Sequence, residues 1–209
     1  LMLSSVNGKV TDMSMSAEYN AENPELSLGI FVMKTEYLRS MIDKAVAYNL
    51  NSFTGLLLEN CKTSNYTAYN FTGFAASVSS FLDYYKYSME LAKSEEARES
   101  LLWKREAPIF TRVHNSSPTA HRSTAHVENS LIADECEIEG TVINSIIFRD
   151  VKVEKGAVVK DSVLFHGTTV GKNAKLNCIV TDKDVQITDG VTLSGNENMP
   201  FYVQKGRKV

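Results

Sequence analysis

No stretch of this 209-residue chain approaches the roughly 20 consecutive apolar residues that a bilayer-spanning helix needs, so no membrane partner is expected. Its first residues, Leu1-Met2-Leu3-Ser4-Ser5, carry neither the basic segment nor the apolar core of a secretory leader, and a cytoplasmic location is the expectation. Excess charge is scarce as well: a net charge of −3 provides no general attraction for nucleic acid. The three cysteines, Cys61, Cys136 and Cys178, are widely separated and show no metal-ligand spacing, which argues against a disulfide framework or a zinc site. Neither glycine-rich phosphate loop, G-x-G-x-x-G or G-x-x-x-x-G-K-[ST], occurs. With a cytoplasmic location expected, the acceptor triplets at Asn65, Asn70 and Asn115 read as coincidental. What remains is an ordinary globular composition, 43% hydrophobic and 22% charged.

What the chain does have is a repeat. Asn129-Ser130-Leu131-Ile132 returns as Asn144-Ser145-Ile146-Ile147, Asp161-Ser162-Val163-Leu164 and Asn177-Cys178-Ile179-Val180. Cys178 therefore reads as a small buried thiol in a slot that serine fills elsewhere. Apolar residues stand six apart at Val153, Val159 and Phe165, at Val170 and Leu176, and at Ile187 and Leu193. Small or β-branched residues often follow four later, as at Ala157, Val163, Ala174 and Val191. A six-residue period cannot keep one face of a 3.6-residue helix apolar. It suits short strands joined by bends, one inward side chain per bend of a triangular coil, each coil burying its edge on the next. The alternative is an antiparallel sandwich of short strands, which does not repeat so regularly.

The first half reads differently. Asn7-Gly8 between β-formers predicts a hairpin, and Asn20 to Pro24 a loop. Leu28–Met33 suits a buried strand. Thr35 is placed to cap a helix with an apolar face of Leu38, Met41, Ile42, Ala45 and Val46. Thr67, Tyr69 and Phe71 alternate as a second strand. Ser80 caps a helix through Phe81, Tyr84, Tyr85, Ser88 and Leu91, and a charged helix follows from about Ser94 to Lys104. Strand and helix alternate, which indicates an α/β layer. The residues from Ile109 to His126 read as a connector.

Several phrases together resemble the ADP-glucose pyrophosphorylase (glucose-1-phosphate adenylyltransferase) family. Ser27-Leu28-Gly29-Ile30-Phe31-Val32-Met33 is similar to the family's S-M-G-I-Y-V-F strand. Gly73 through Ser80, with Asp83 through Leu91, resembles its G-Y-W-x-D-V-G-T and following S-Y-x-x-A-N-M-x-L. Ile109-Phe110-Thr111 through Pro118 resembles its connector, and the repeats, with Asp161-Ser162-Val163-Leu164, its β-helix. The resemblance implies part of an α/β nucleotidyltransferase (Rossmann-like) domain followed by a left-handed parallel β-helix of hexapeptide repeats. It implies boundaries at 1–105 for the α/β part, 106–126 for the connector and 127–209 for the β-helix, starting partway through the catalytic domain.

The departures from the family are as informative. The aspartate that binds the catalytic magnesium is Ser77 here, and a neutral hydroxyl is a poor magnesium ligand. No E-K-P sugar-phosphate phrase is found; Glu22-Asn23-Pro24 has asparagine in place of the lysine. The resemblance is therefore to the regulatory, noncatalytic subunit, with no catalytic residue and no cofactor in this chain and magnesium expected only in a catalytic partner of the same family. It further implies a hetero- or homo-oligomer acting in glycogen synthesis. Ser27 and Gly29 match the sugar-phosphate position. Arg112, His114, Lys183 and Lys205 match positions that bind a small anionic effector, with histidine at 114 where arginine is usual. Two other classes stay open: a hexapeptide acyltransferase using His166 as general base, and a purely structural oligomerisation module. His121 and His126, five apart without a third ligand, make a weak zinc pair.

Overall fold

A computed structural model describes residues 1–16 and 24–209. It divides into two compact units, Leu1–Ala75 and Ala76–Val209. The predicted loop at Asn20 to Pro24 and the Glu22-Asn23-Pro24 phrase fall, up to residue 23, outside the described residues.

In the first unit β1 (Met2–Val6) and β2 (Lys9–Ser14) pair antiparallel around Asn7-Gly8. Both turn residues have positive φ, 53° and 77°, the left-handed pair that fits the twist of a two-residue hairpin. The short β3 (Glu25–Leu26) adds to β1. Helix α1 (Thr35–Tyr48) forms where its periodicity predicts. Lys34 rather than Thr35 precedes it, with no side-chain cap, and Asn49 closes it in the left-handed region. A second helix, α2 (Phe53–Asn60), was not legible from periodicity; its signal is Ser52, whose hydroxyl accepts from the Gly55 amide. Met41, Leu56 and Leu57 make this unit's small core.

Two predicted strands do not form. Leu28–Met33 is irregular and open, with Ile30 80% and Val32 98% exposed. Thr67 makes a single bridge to Lys9, while Tyr69 and Phe71 are exposed. An extended apolar segment becomes a strand only when a neighbour takes its backbone N–H and C=O groups. Among the described residues none pairs with Leu28–Met33.

The second unit opens with α3 (Phe81–Lys93) and α4 (Glu95–Leu101). Ser80 and Ser94 cap them, accepting from the amides of Asp83 and Ala97. Fifteen short strands follow in triplets: β4 (Ala120–His121), β5 (His126–Glu128), β6 (Leu131–Ile132); β7 (Glu137–Ile138), β8 (Thr141–Ile143), β9 (Ile146–Ile147); β10 (Lys152–Val153), β11 (Val158–Lys160), β12 (Val163–Leu164); β13 (Thr169–Val170), β14 (Lys175–Asn177), β15 (Ile179–Thr181); and β16 (Gln186–Ile187), β17 (Thr192–Ser194), β18 (Phe201–Val203). Each pairs in parallel with its counterpart one coil away, giving three five-stranded sheets. This is the parallel β-helix that the hexads imply. The strand β4 lies within the stretch that reads as connector, and β5 begins at its last residue.

Inside the coil, Ile138, Val153, Val170 and Ile187 form one inward column. Val142, Val159, Leu176 and Leu193 form a second. The six-residue spacing slips at its third member: Leu164, not Phe165, faces the core, while Val163 turns outward beneath α3.

The serine phrase is a hydrogen-bond ladder. The hydroxyls of Ser130, Ser145 and Ser162 donate to the carbonyls two residues back, at 2.6–2.7 Å. Each also accepts an amide from the coil above: Ser145 onto Ser130, Ser162 onto Ser145 and Ile179 onto Ser162, at 3.0–3.1 Å. Strand register corrects the repeat alignment by one residue. Val163 pairs with Val180 and Lys160 with Asn177, so Ile179 stands above Ser162 and Cys178 above Asp161. Cys178 thus fills the left-handed corner of Asn129, Asn144 and Asp161, with φ 54°, and not the serine slot. It is buried, as expected, against Tyr85 and Met89.

Candidate functional site

The residues singled out in the sequence lie at several places. In the first unit the Ser27 hydroxyl accepts from the Gly29 amide at 3.2 Å, and Gly29 takes φ 73°. This is a serine turn whose hydroxyl proton remains available. In the second unit Ser77 is exposed in an irregular stretch just before α3. Its neighbour Ser79 donates both amide and hydroxyl to Asp83, at 3.3 and 2.8 Å. The Ser79 and Ser80 hydroxyls hold the Asp83 carboxyl below its usual range. Asp83 is therefore committed to the helix start, and Ser77 supplies only a neutral oxygen. Among the described residues no group of three or more His, Cys, Asp or Glu could hold a metal ion. This donor set does not fit a magnesium ion, and no step is derived through one.

Lys183 and Lys205 come together. They flank one corner of the last coils, where the Gly206 amide donates to the Lys183 carbonyl at 3.0 Å. Between them stands Asp182, which the sequence reading passed over. Its carboxylate accepts from the Lys183 amide at 2.7 Å and from the Tyr202 hydroxyl at 2.9 Å. Those bonds and the positive charge of Lys183 and Lys205 hold the Asp182 carboxyl below its ordinary range, while the same bond raises the Tyr202 phenol. Phe81, the first residue of α3, meets the Tyr202 ring edge-on at 5.7 Å. The Lys183 and Lys205 side chains are both exposed at this corner, beside the carboxylates of Asp182 and Asp184. Arg112 and His114 are exposed in the irregular segment before the coil, and no hydrogen bond or ion pair joins either to the corner. The pairing of Lys183 with Lys205 was hidden because 22 residues separate them and only the coil step superimposes them.

The histidines scatter. His166 is exposed at a bend, with Nδ1 3.1 Å from the Arg149 carbonyl. His121 continues the inward column of Ile138 but is exposed in the first triplet. His126 lies 3.9 Å from Glu128.

The strongest non-repeat contact within the second unit joins α3 to the coil. Tyr85, fully buried, donates its hydroxyl to the Asp161 carbonyl at 2.7 Å. Lys93, at the other end of α3, reaches the Asp161 carboxylate at 2.7 Å. Tyr85 and Met89 cover Val163, Cys178 and Val180, and Tyr84 stacks on Phe165. One coil-corner residue therefore clamps the helix at two points.

These features define a hexapeptide-repeat β-helix protein with a helix strapped across one sheet. Residues 114–199 match the family described as GlmU-like, C-terminal hexapeptide. The chain is also homologous to the glycogen biosynthesis protein GlgD of Bacillus subtilis (strain 168), 31% identical over 180 residues, 86% of this chain and 52% of that protein. The glucose-1-phosphate adenylyltransferases of Bacillus cereus (strain Q1) and Bacillus thuringiensis (strain Al Hakam) are 30% identical over 183 residues, 85% of this chain and 48% of theirs. The chain spans about half the length of these curated relatives. The resemblance drawn from its motifs is thus one of homology across most of its length.

Proposed function

We propose that this chain is the β-helix-bearing part of a noncatalytic, regulatory subunit of a glucose-1-phosphate adenylyltransferase, acting in glycogen biosynthesis beside a catalytic subunit. The observation that carries the reading is Ser77. Where the family places a magnesium-binding carboxylate, this chain presents an exposed hydroxyl, and the Asp83 carboxylate that follows accepts from the amide and hydroxyl of Ser79. Without a divalent ion, charge developing on a transferred phosphoryl group lacks its main stabiliser. Similarity to GlgD, a glycogen biosynthesis protein, supports the pathway. In this reading Lys183 and Lys205 attract an anionic effector, and Ser27 and Gly29 keep the outline of a sugar-phosphate position without turnover.

Co-expression with a catalytic subunit tests this. The expected result is a stable complex whose ADP-glucose formation, or its response to anions, differs from that of the catalytic subunit alone. No complex and an unchanged partner activity would overturn the reading. In the same assay Lys183→Ala with Lys205→Ala abolishes the anion response and leaves basal activity intact.

One observation favours a second reading. A carbonyl can only accept, so Nδ1 of His166 is the donor to Arg149, and Nε2 is the nitrogen left to face a substrate. Acetyl transfer from acetyl-coenzyme A that His166→Ala abolishes would support an acyltransferase; absence of transfer by the parent chain removes it.

A further inference from the structure

Helix α3 lies against the coil, yet the coil closes its own core without it. The coil's core cluster, from Cys136 to Val203, contains no residue of α3. The helix forms a separate cluster on the outer wall, where Tyr85 and Met89 cover Val163, Cys178 and Val180. Among the described residues no backbone hydrogen bond joins α3 to a coil strand. Its two short polar contacts with the coil, from the Tyr85 hydroxyl and the Lys93 ammonium, both land on Asp161 at 2.7 Å. Residues 68–79 before it, and residues 102–119 beyond α4, belong to no helix or strand and are mostly exposed.

Asp161 departs from its own column. Asn129 and Asn144 fill the same left-handed corner in the two preceding coils, at φ 43° and 50° against 45° at Asp161. An amide therefore serves the bend as well as a carboxylate. What asparagine cannot supply there is the charge that holds Lys93. That ion pair is half enclosed, with the Asp161 side chain 11% exposed and that of Lys93 39%. Each partner also has a longer alternative: Lys160 stands 4.0 Å from the Asp161 carboxylate, and Glu197 3.9 Å from the Lys93 ammonium. Separation of the pair therefore strands neither charge.

We propose that α3 is a releasable strap, latched by Lys93 on Asp161, which lifts as a unit while the coil stays folded. A helix of 13 residues is marginal once undocked, so release melts α3 and bares Val163, Cys178 and Val180. Release also lengthens the covalent link between the two units from residues 76–80 to residues 76–119. Because the pair is partly open to solvent, salt loosens the latch. The strap is a property of the chain by itself and does not depend on the regulatory reading.

Two cysteines report on it. Cys178 lies beneath the strap and Cys136 in the coil core, and both are buried. Labelling of the native chain with iodoacetamide at about pH 8, read peptide by peptide by mass spectrometry, measures how often each opens. Each rate is taken relative to that of the urea-unfolded chain. The expected result is that Cys178 labels at least about tenfold faster than Cys136, and faster at about 0.5 M than at about 0.05 M salt. Asp161→Asn and Lys93→Gln each speed Cys178 by about tenfold, leave Cys136 unchanged and remove the salt effect. One change deletes an anion and the other a cation, so a field acting on the thiol itself would move the two rates in opposite directions. Amide hydrogen exchange of Tyr84–Lys93 accelerates with Cys178 in both variants. Equal labelling of Cys178 and Cys136 in the parent overturns the proposal. So does a Cys178 rate that the two variants leave unchanged or shift in opposite directions. Acceleration of Cys136 together with Cys178 in both variants overturns it too, since strap and coil would then open as one.

Discussion

The two compact units bury apolar residues by different means. In Ala76–Val209 every strand is only two or three residues long, yet Ile138, Val142, Val153, Val159, Val170 and Leu176 are all buried. Each coil supplies the next with both backbone partners and an apolar floor, so short strands suffice. In Leu1–Ala75 a six-residue apolar run, Leu28–Met33, forms no strand, and among the described residues none offers it a ladder. Helix α1 likewise buries Met41 but leaves Ile42 and Val46 exposed. Hydrophobicity creates a demand for burial, and only a neighbouring surface of matching geometry meets it.

The most severe challenge to this contrast is a charge in the coil. Val159→Asp places a carboxylate in a fully apolar column and is expected to cost more than about 4 kcal/mol, abolishing the cooperative thermal transition seen by circular dichroism. Next comes the strap. Tyr85→Ala removes a buried ring and its bond to the Asp161 carbonyl, a loss of about 3–5 kcal/mol in urea denaturation; Tyr85→Phe, which strands only the carbonyl, costs about 1–2 kcal/mol. If both changes cost the same, the hydrogen bond and not the ring anchors α3. Smaller still is Asn129→Ala, at φ 43° in the left-handed corner, with about 1 kcal/mol lost in the same measurement. Val32→Asp in the first unit should move the urea midpoint by no more than about 0.5 kcal/mol in equivalent stability. A large effect there would mean the run is covered after all.

The Asp182 corner responds to pH with a definite sign. Its carboxyl lies below the unfolded value, so the ionised form contributes stability that is present above the ordinary carboxylate range and lost as pH falls through the lowered value. Asp182→Asn should narrow the stability difference between pH 5 and strong acid, read from urea midpoints. An unchanged acid limb would show that the two bonds to Asp182 are not kept in solution.

Much of the second unit was legible because a fixed period reports a fixed geometry. The recurring phrase marked the coil step, while the left-handed corners at Asn129, Asn144 and Asp161 and the serine ladder came from the structure. Even there, the step of 17 residues from Ser162 lands on Ile179, and only strand pairing revealed that Cys178 belongs to the corner column. The Asn7-Gly8 hairpin and the Ser80 cap were legible too, since each is a local rule satisfied within four residues. Leu28–Met33 and Thr67–Phe71 were misread because strand formation depends on partners that a local pattern does not contain. The meeting of Lys183, Lys205, Asp182 and Tyr202 was unreadable for the opposite reason: the coil step joins residues that carry no common motif.

Sequence alone therefore determined the parallel β-helix and the helix that precedes it, because repeat spacing and caps act between near neighbours. Tertiary structure decided which side of each coil faces inward, that Asp161 clamps α3 through Tyr85 and Lys93, and that two distant lysines come to one corner beside Asp182. Those outcomes depend on strand register and on packing between segments, and a shift of a single residue exchanges the faces.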